Sequence, residues 1–189
     1  GLESRGLGDV YKRQAMQPIY AHKGVSMISV QIQGAAGHSS DPSLGHNALE
    51  TMHPVMGALM QFRDELAQQH QHPSFAVNVP TLNLGCLRAG DNPNRICGHA
   101  ELQIDLRLLP GMDSDAIHKQ LEQRCHDAVA GSHTQLTVST VYPPIPPFES
   151  AADGELTTTL ASLSGKAPGT VAFGTEAHFL QTLGMQTVV

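Results

Sequence analysis

From His99 to Leu108 the chain alternates without a break. Ala100, Leu102, Ile104, Leu106 and Leu108 fall on one side, and His99, Glu101, Gln103, Asp105 and Arg107 on the other. Only extended backbone gathers residues i, i+2 and i+4 on one face. One face must therefore meet a core while the other stays wet or functional, as in an antiparallel sheet covered on one side. The cover is written in helical period. Ala48, Met52, Val55, Met56, Leu59, Phe62 and Leu66 form one stripe over about Asn47 to Gln68. Pro54 lies inside that stripe, and an interior proline costs about 3 kcal/mol, so a kink or a late helix start is expected. Asp113 suits the cap of a second helix that buries Ile117, Leu121, Cys125 and Ala128.

The other strands are shorter signals. Ile28, Val30 and Ile32 alternate with Ser29, Gln31 and Gln33. A second strand is expected over Phe75 to Leu87, with Pro80 tolerable only at an edge or irregularity. Leu136, Val138 and Thr140 mark a fourth. The order βαββαβ predicts an α+β fold of ferredoxin-like type, an open sandwich with a four-stranded antiparallel sheet and both helices on one face. Residues 25–142 would form it, a length that can bury its own core. Pro143 to Pro147 then reads as a stiff extended connector. Gly154 to Leu163 reads as helix and Gly169 to Val189 as strand, loop, helix and strand. So short a remnant, residues 143–189, cannot build a core alone. It is expected to be a poorly anchored return into a domain whose other part came earlier, with residues 15–24 as the linker out of that part.

Net charge is −6. Ser4 to Gln14 resembles a translated sequencing-library adapter, so residues 1–14 are set aside. Arg5, Lys12 and Arg13 outnumber Glu3 and Asp9 there by one, which leaves −7 for the rest. That balance disfavours a nucleic-acid partner, which needs basic patches. No apolar run approaches the roughly 18 residues of a membrane helix. The three cysteines, Cys86, Cys97 and Cys125, are odd in number and widely spaced, which suggests a reducing compartment rather than a disulfide framework. Val188-Val189 stops inside an apolar run without a turn signal, so both ends are expected to be breaks in a longer gene product.

Several short motifs stand in a distinctive order. They are Ala21-His22-Lys23-Gly24, Gly37-His38-Ser39-Ser40-Asp41-Pro42 with Asn47-Ala48, Pro80-Thr81-Leu82-Asn83-Leu84-Gly85 and Asn94-Arg95-Ile96-Cys97. Asp105-Leu106-Arg107 with Leu109-Pro110-Gly111-Met112, Pro143-Pro144-Ile145-Pro146 and Thr175-Glu176-Ala177 follow. The ordered set resembles the aminoacylase and succinyl-diaminopimelate desuccinylase family of metallopeptidases, on its acetylornithine deacetylase branch. The resemblance implies a two-domain subunit: an α/β catalytic domain with two metal ions, Zn2+ or Co2+, and an inserted lid that makes a homodimer. The implied reaction is hydrolysis of N2-acetyl-L-ornithine to L-ornithine and acetate, in the cytoplasm, for arginine synthesis. None of the family's metal-ligand motifs occurs here, so this chain is expected to be an inactive fragment. A desuccinylase or aminoacylase for another N-acyl amino acid, and a non-enzymatic ferredoxin-like dimerisation module, are the alternatives.

The same resemblance names site residues. His38 would reach an active site, in several members the partner subunit's, and polarise the scissile amide carbonyl. Negative charge develops on that oxygen, and one aimed donor is worth about 3 kcal/mol. The bland reading of His38 is a turn stabiliser. Asn94 and Arg107 would bind the substrate's carbonyl or carboxylate; a guanidinium fork suits a carboxylate. Asn94 also suits a plain turn, and Arg107 a structural ion pair with Asp105 or Glu101. Thr175 and Glu176 would lie on a substrate-contacting loop, with Glu176 toward an amino group or merely at a helix start. His70 and His72 fall short of the three or four ligands zinc takes. His118 and His126 are expected at the surface.

Overall fold

The computed structural model describes residues 16–189, so the adapter-like stretch lies outside the described residues. After β1 (Ile19–His22) come β2 (Ser26–Gln33), α1 (Ala48–Gln69), β3 (Thr81–Ala89), β4 (His99–Arg107), α2 (Ser114–Ala128) and β5 (Gln135–Thr140). Strands β3-β4-β2-β5 form one antiparallel sheet in that order, the predicted open sandwich. Register stacks the apolar faces. Ile28 pairs with Ile104, Val30 with both Leu102 and Val138, and Ile32 with Ala100. Against them pack Met52, Val55, Leu59, Phe62 and Leu66 of α1 and Ile117, Leu121 and Cys125 of α2. The far face satisfies itself: Ser29 Oγ and Gln103 Nε2 donate to Glu101 Oε1 at 2.8 and 3.1 Å. Those two bonds hold the Glu101 carboxyl below its usual range.

Local differences from the sequence reading have local causes. Helix α1 opens at Ala48 and runs through Pro54, because Asn47 Oδ1 accepts from the N–H groups of Leu49 and Glu50 and fixes the start upstream. Strand β3 begins at Thr81, not Phe75. Pro80 has no N–H to give the ladder, and Phe75 is buried below the loop instead. A register shift at Gly85 marks a bulge. His118 is not at the surface but half-buried, its Nε2 3.0 Å from Ser26 Oγ.

The second sheet is β6-β1-β7, with β6 (Phe148–Glu149), α3 (Glu155–Ser164), β7 (Gly169–Val171) and α4 (Ala177–Thr182) following the sandwich. Strand β1 runs antiparallel to β6 and parallel to β7. Residues before and after the sandwich therefore share one sheet, and the sandwich is an excursion between them. The two passages run side by side: the N–H groups of Val25 and Ile145 donate to each other's carbonyls at 2.8 and 2.9 Å. A Cβ on Gly24 would lie 2.8 Å from Pro147 Cδ, so glycine permits this close approach. The loop after α1 docks across: His72 Nε2 meets Glu149 Oε1 at 3.0 Å, and Thr170 Oγ1 donates to the Ser74 carbonyl at 2.8 Å. The C-terminal residues are better tied than expected, for Ile19 and Val189 exchange backbone bonds at 2.7 and 2.9 Å.

Candidate functional site

Strand β2 ends at Gln33, and the loop after it doubles back on itself. Ala35 and His46 exchange backbone hydrogen bonds at 3.0 and 2.8 Å. A Cβ on Gly37 would stand 2.6 Å from the Leu44 carbonyl oxygen, so only glycine lets the loop close. The next residues pair with the segment entering β4. Ser39 N–H donates to the Asn94 carbonyl at 3.0 Å and Ile96 N–H to the Gly37 carbonyl at 2.8 Å, with His38 opposite Arg95. Residues 56 apart in sequence, His38 and Asn94, thus share a short two-stranded extension beyond the sheet. The His38 ring is exposed, with Nδ1 turned to Ser40. Asp41 accepts from Ser43 N–H and Oγ–H, which anchors the next turn and lowers its carboxyl pKa. Asn94 also serves the turn, its N–H on Asn92 Oδ1 at 3.1 Å.

Arg107 lies at the other end of β4. The strand's eight steps put roughly 27 Å between the two ends, at about 3.4 Å per residue. Its Nε and Nη2 donate to the two Asp105 carboxylate oxygens at 2.8 and 2.9 Å, the bland pairing considered above. Nη1 faces the Ala172 carbonyl at 3.5 Å, on the segment after β7. Thr175 and Glu176 are close by in the fold. Thr175 N–H donates to His22 Nε2 at 3.3 Å, Thr175 Oγ1 accepts from Ala177 N–H, and Glu176 precedes α4. The named residues therefore form two groups, His38 with Asn94 and Arg107 with Thr175 and Glu176. No small substrate spans both within one copy.

Two neighbours of the second group carried no assigned role in the sequence. His22 is fully buried and uses both ring nitrogens, Nδ1 toward the Lys23 carbonyl at 2.9 Å and Nε2 toward Thr175 N–H. Burial pulls its pKa down. Lys23 is 2% exposed; Nζ donates to the Val79 carbonyl at 2.6 Å and lies 5.9 Å from the Phe75 ring centre. Burial, then the positive charge of Arg107, lowers its pKa too. Their sequence signals were the motif Ala21-His22-Lys23-Gly24, which assigned them no role, and their place as two polar residues ending the apolar run Ile19-Tyr20-Ala21.

An open cleft of about 560 Å³ adjoins the His38 loop, lined among others by His46, Glu50, Arg95 and His133. The His46 and His133 rings lie 5.0 Å apart, tilted at 33°. Among the described residues no three His, Cys, Asp or Glu side chains gather as a metal site. The implied Zn2+ or Co2+ therefore does not fit the residues present. No helix of the described residues is long and apolar enough to cross a membrane.

Comparison with known proteins gives concordant matches. The family profile described as a peptidase dimerisation domain matches residues 20–132. An acetylornithine deacetylase of Aliivibrio fischeri (strain MJ11) is 40% identical over 169 residues, 89% of this chain and 45% of the relative. One of Klebsiella pneumoniae (strain 342) is 43% identical over 169 residues, again 89% of this chain and 44% of the relative. The chain thus spans less than half the length of the curated relatives it matches. Among solved structures, a tripeptidase of Staphylococcus aureus superposes with TM-score 0.67 at 19% identity, over 92% of this chain and 44% of that one. Human carnosine dipeptidase 1 does so with TM-score 0.65 at 15% identity, over 91% and 49%.

Proposed function

Because this chain belongs to the M20 peptidase dimerisation domain family, we propose that it is the dimer-forming lid of a longer metal-dependent amide hydrolase. The substrate in this reading is N2-acetyl-L-ornithine and the products are L-ornithine and acetate. The names of the relatives support that choice. Residues 25–142 are the lid, and β1 with residues 143–189 belongs to the catalytic domain. Exposed apolar side chains on that side, Met16, Leu163 and Leu183, suit a surface that further chain covers. Cytoplasmic location and a place in arginine synthesis belong to the same proposal.

One observation carries it: the sandwich presents His38 and Arg107 at opposite ends of β4. In a two-fold dimer, one copy's His38 and Asn94 can meet the other copy's Arg107, Thr175 and Glu176. His38 then donates to the acetyl carbonyl oxygen, where charge develops. Arg107 turns part of its fork to the substrate carboxylate, and Glu176 attracts the distal ammonium. The metal is held by none of these residues, and no step here runs through it.

The test is complementation in the enzyme encoded by the complete reading frame. His38→Ala and Arg107→Ala each lower kcat/KM by about 100-fold or more, the loss of ~3 kcal/mol. Mixed and allowed to exchange subunits, the two inactive variants regain activity, since one site per mixed dimer is intact. If mixing restores nothing, the two groups do not work across a dimer. Substrate profiling of that enzyme separates deacetylation from removal of other acyl groups.

A further inference from the structure

We infer that Ser40 is a positioning residue that fixes His38 in the tautomer protonated at Nε2 and turns that N–H outward. The functional half of this inference rests on the reading of His38 as a donor to substrate. Two groups of Ser40 converge on His38 Nδ1: the backbone nitrogen at 3.2 Å and Oγ at 2.7 Å. A neutral imidazole has one donor nitrogen and one acceptor nitrogen. The Ser40 amide can only donate, and its hydrogen points at Nδ1. Nδ1 therefore carries the lone pair, Oγ–H also donates to it, and the ring proton sits on Nε2. Nε2 has no partner among the described residues, and the ring is exposed.

The backbone holds the arrangement in register. Ser39 N–H is fixed on the Asn94 carbonyl and Asp41 N–H on the His38 carbonyl at 3.1 Å, so both neighbours of Ser40 are pinned. Two side chains of the segments paired here are engaged elsewhere: Arg95, opposite His38, with Asp91 at 2.5 Å, and His46 against the His133 ring. Fixing the tautomer matters for a donor. The alternative, with the proton on Nδ1, would present a lone pair to a carbonyl oxygen and repel it.

The first arm of the test is nitrogen NMR of this chain, labelled at histidine, at a pH where His38 is neutral. The expected spectrum shows Nδ1 as the pyridine-type nitrogen and Nε2 as the pyrrole-type nitrogen. Ser40→Ala keeps the amide donor at 3.2 Å and loses the Oγ donor at 2.7 Å, so it shifts the His38 signals part of the way toward mixed tautomers, and Ser40→Thr restores them. A pyrrole-type Nδ1, or signals unmoved by Ser40→Ala, overturns the inference. The second arm uses the complete enzyme. Ser40→Ala lowers kcat about tenfold, one hydrogen bond's worth, with KM unchanged, and Ser40→Thr rescues it. If the signals move but kcat does not, the clamp stands and the donor role of His38 falls.

Discussion

His22 and His118 show what burial does to a single titratable group. Each is held neutral in the fold, first by loss of water, below the ordinary histidine value of about 6.5. The unfolded chain therefore binds more protons than the fold as pH drops through that value. Linkage gives the sign: stability is fully present above about pH 6.5 and falls as pH is lowered toward the depressed folded values. Urea unfolding at pH 5.5 should show a lower midpoint than at pH 7.5, and His118→Gln should shrink the gap. An equal midpoint at both would contradict it. Cys125 is the matching case for a thiol. Burial, with Glu122 adding to it, pushes its pKa up to about 12, so almost no thiolate exists at neutral pH. Iodoacetamide at pH 8 should leave Cys125 unmodified in the folded chain and label it in urea, read by mass spectrometry.

At the scale of elements, α1 reconciles two conflicting instructions. Pro54 removes one helical hydrogen bond, while the stripe from Met52 to Leu66 buries five large side chains, each worth about 1.5–3 kcal/mol. The stripe wins, and the Asn47 cap sets where the helix starts. Replacing Asn47 with alanine should cost about 1 kcal/mol in urea denaturation. Pro54 is exposed, and Pro54→Ala should instead raise the midpoint, since it restores a donor to the Glu50 carbonyl. The alternation of β4 made its strand legible from nine residues. Strand β3 was legible only from Pro80 onward, because Phe75 left the ladder to fill space beneath Lys23 and His72.

For the whole molecule, the core cluster draws almost wholly on residues 28–125. Expressed alone, residues 25–142 should keep a single cooperative thermal transition by circular dichroism, while residues 143–189, without β1, should show none. A non-cooperative melt of the longer piece would mean that the second sheet is needed to complete the sandwich. The sequence by itself determined the four strands, the two long helices and their layering, because the two-residue and 3.6-residue periods are carried by near neighbours. It also singled out Arg107 and Asp105 as possible partners, since residues two apart share a strand face. Only the tertiary structure decided that His22 and Lys23 are buried, that His38 stands beside Asn94, and that Arg107 is a strand's length away. Burial of a polar group and the meeting of two loops depend on segments distant along the chain, whose relative placement no local period encodes.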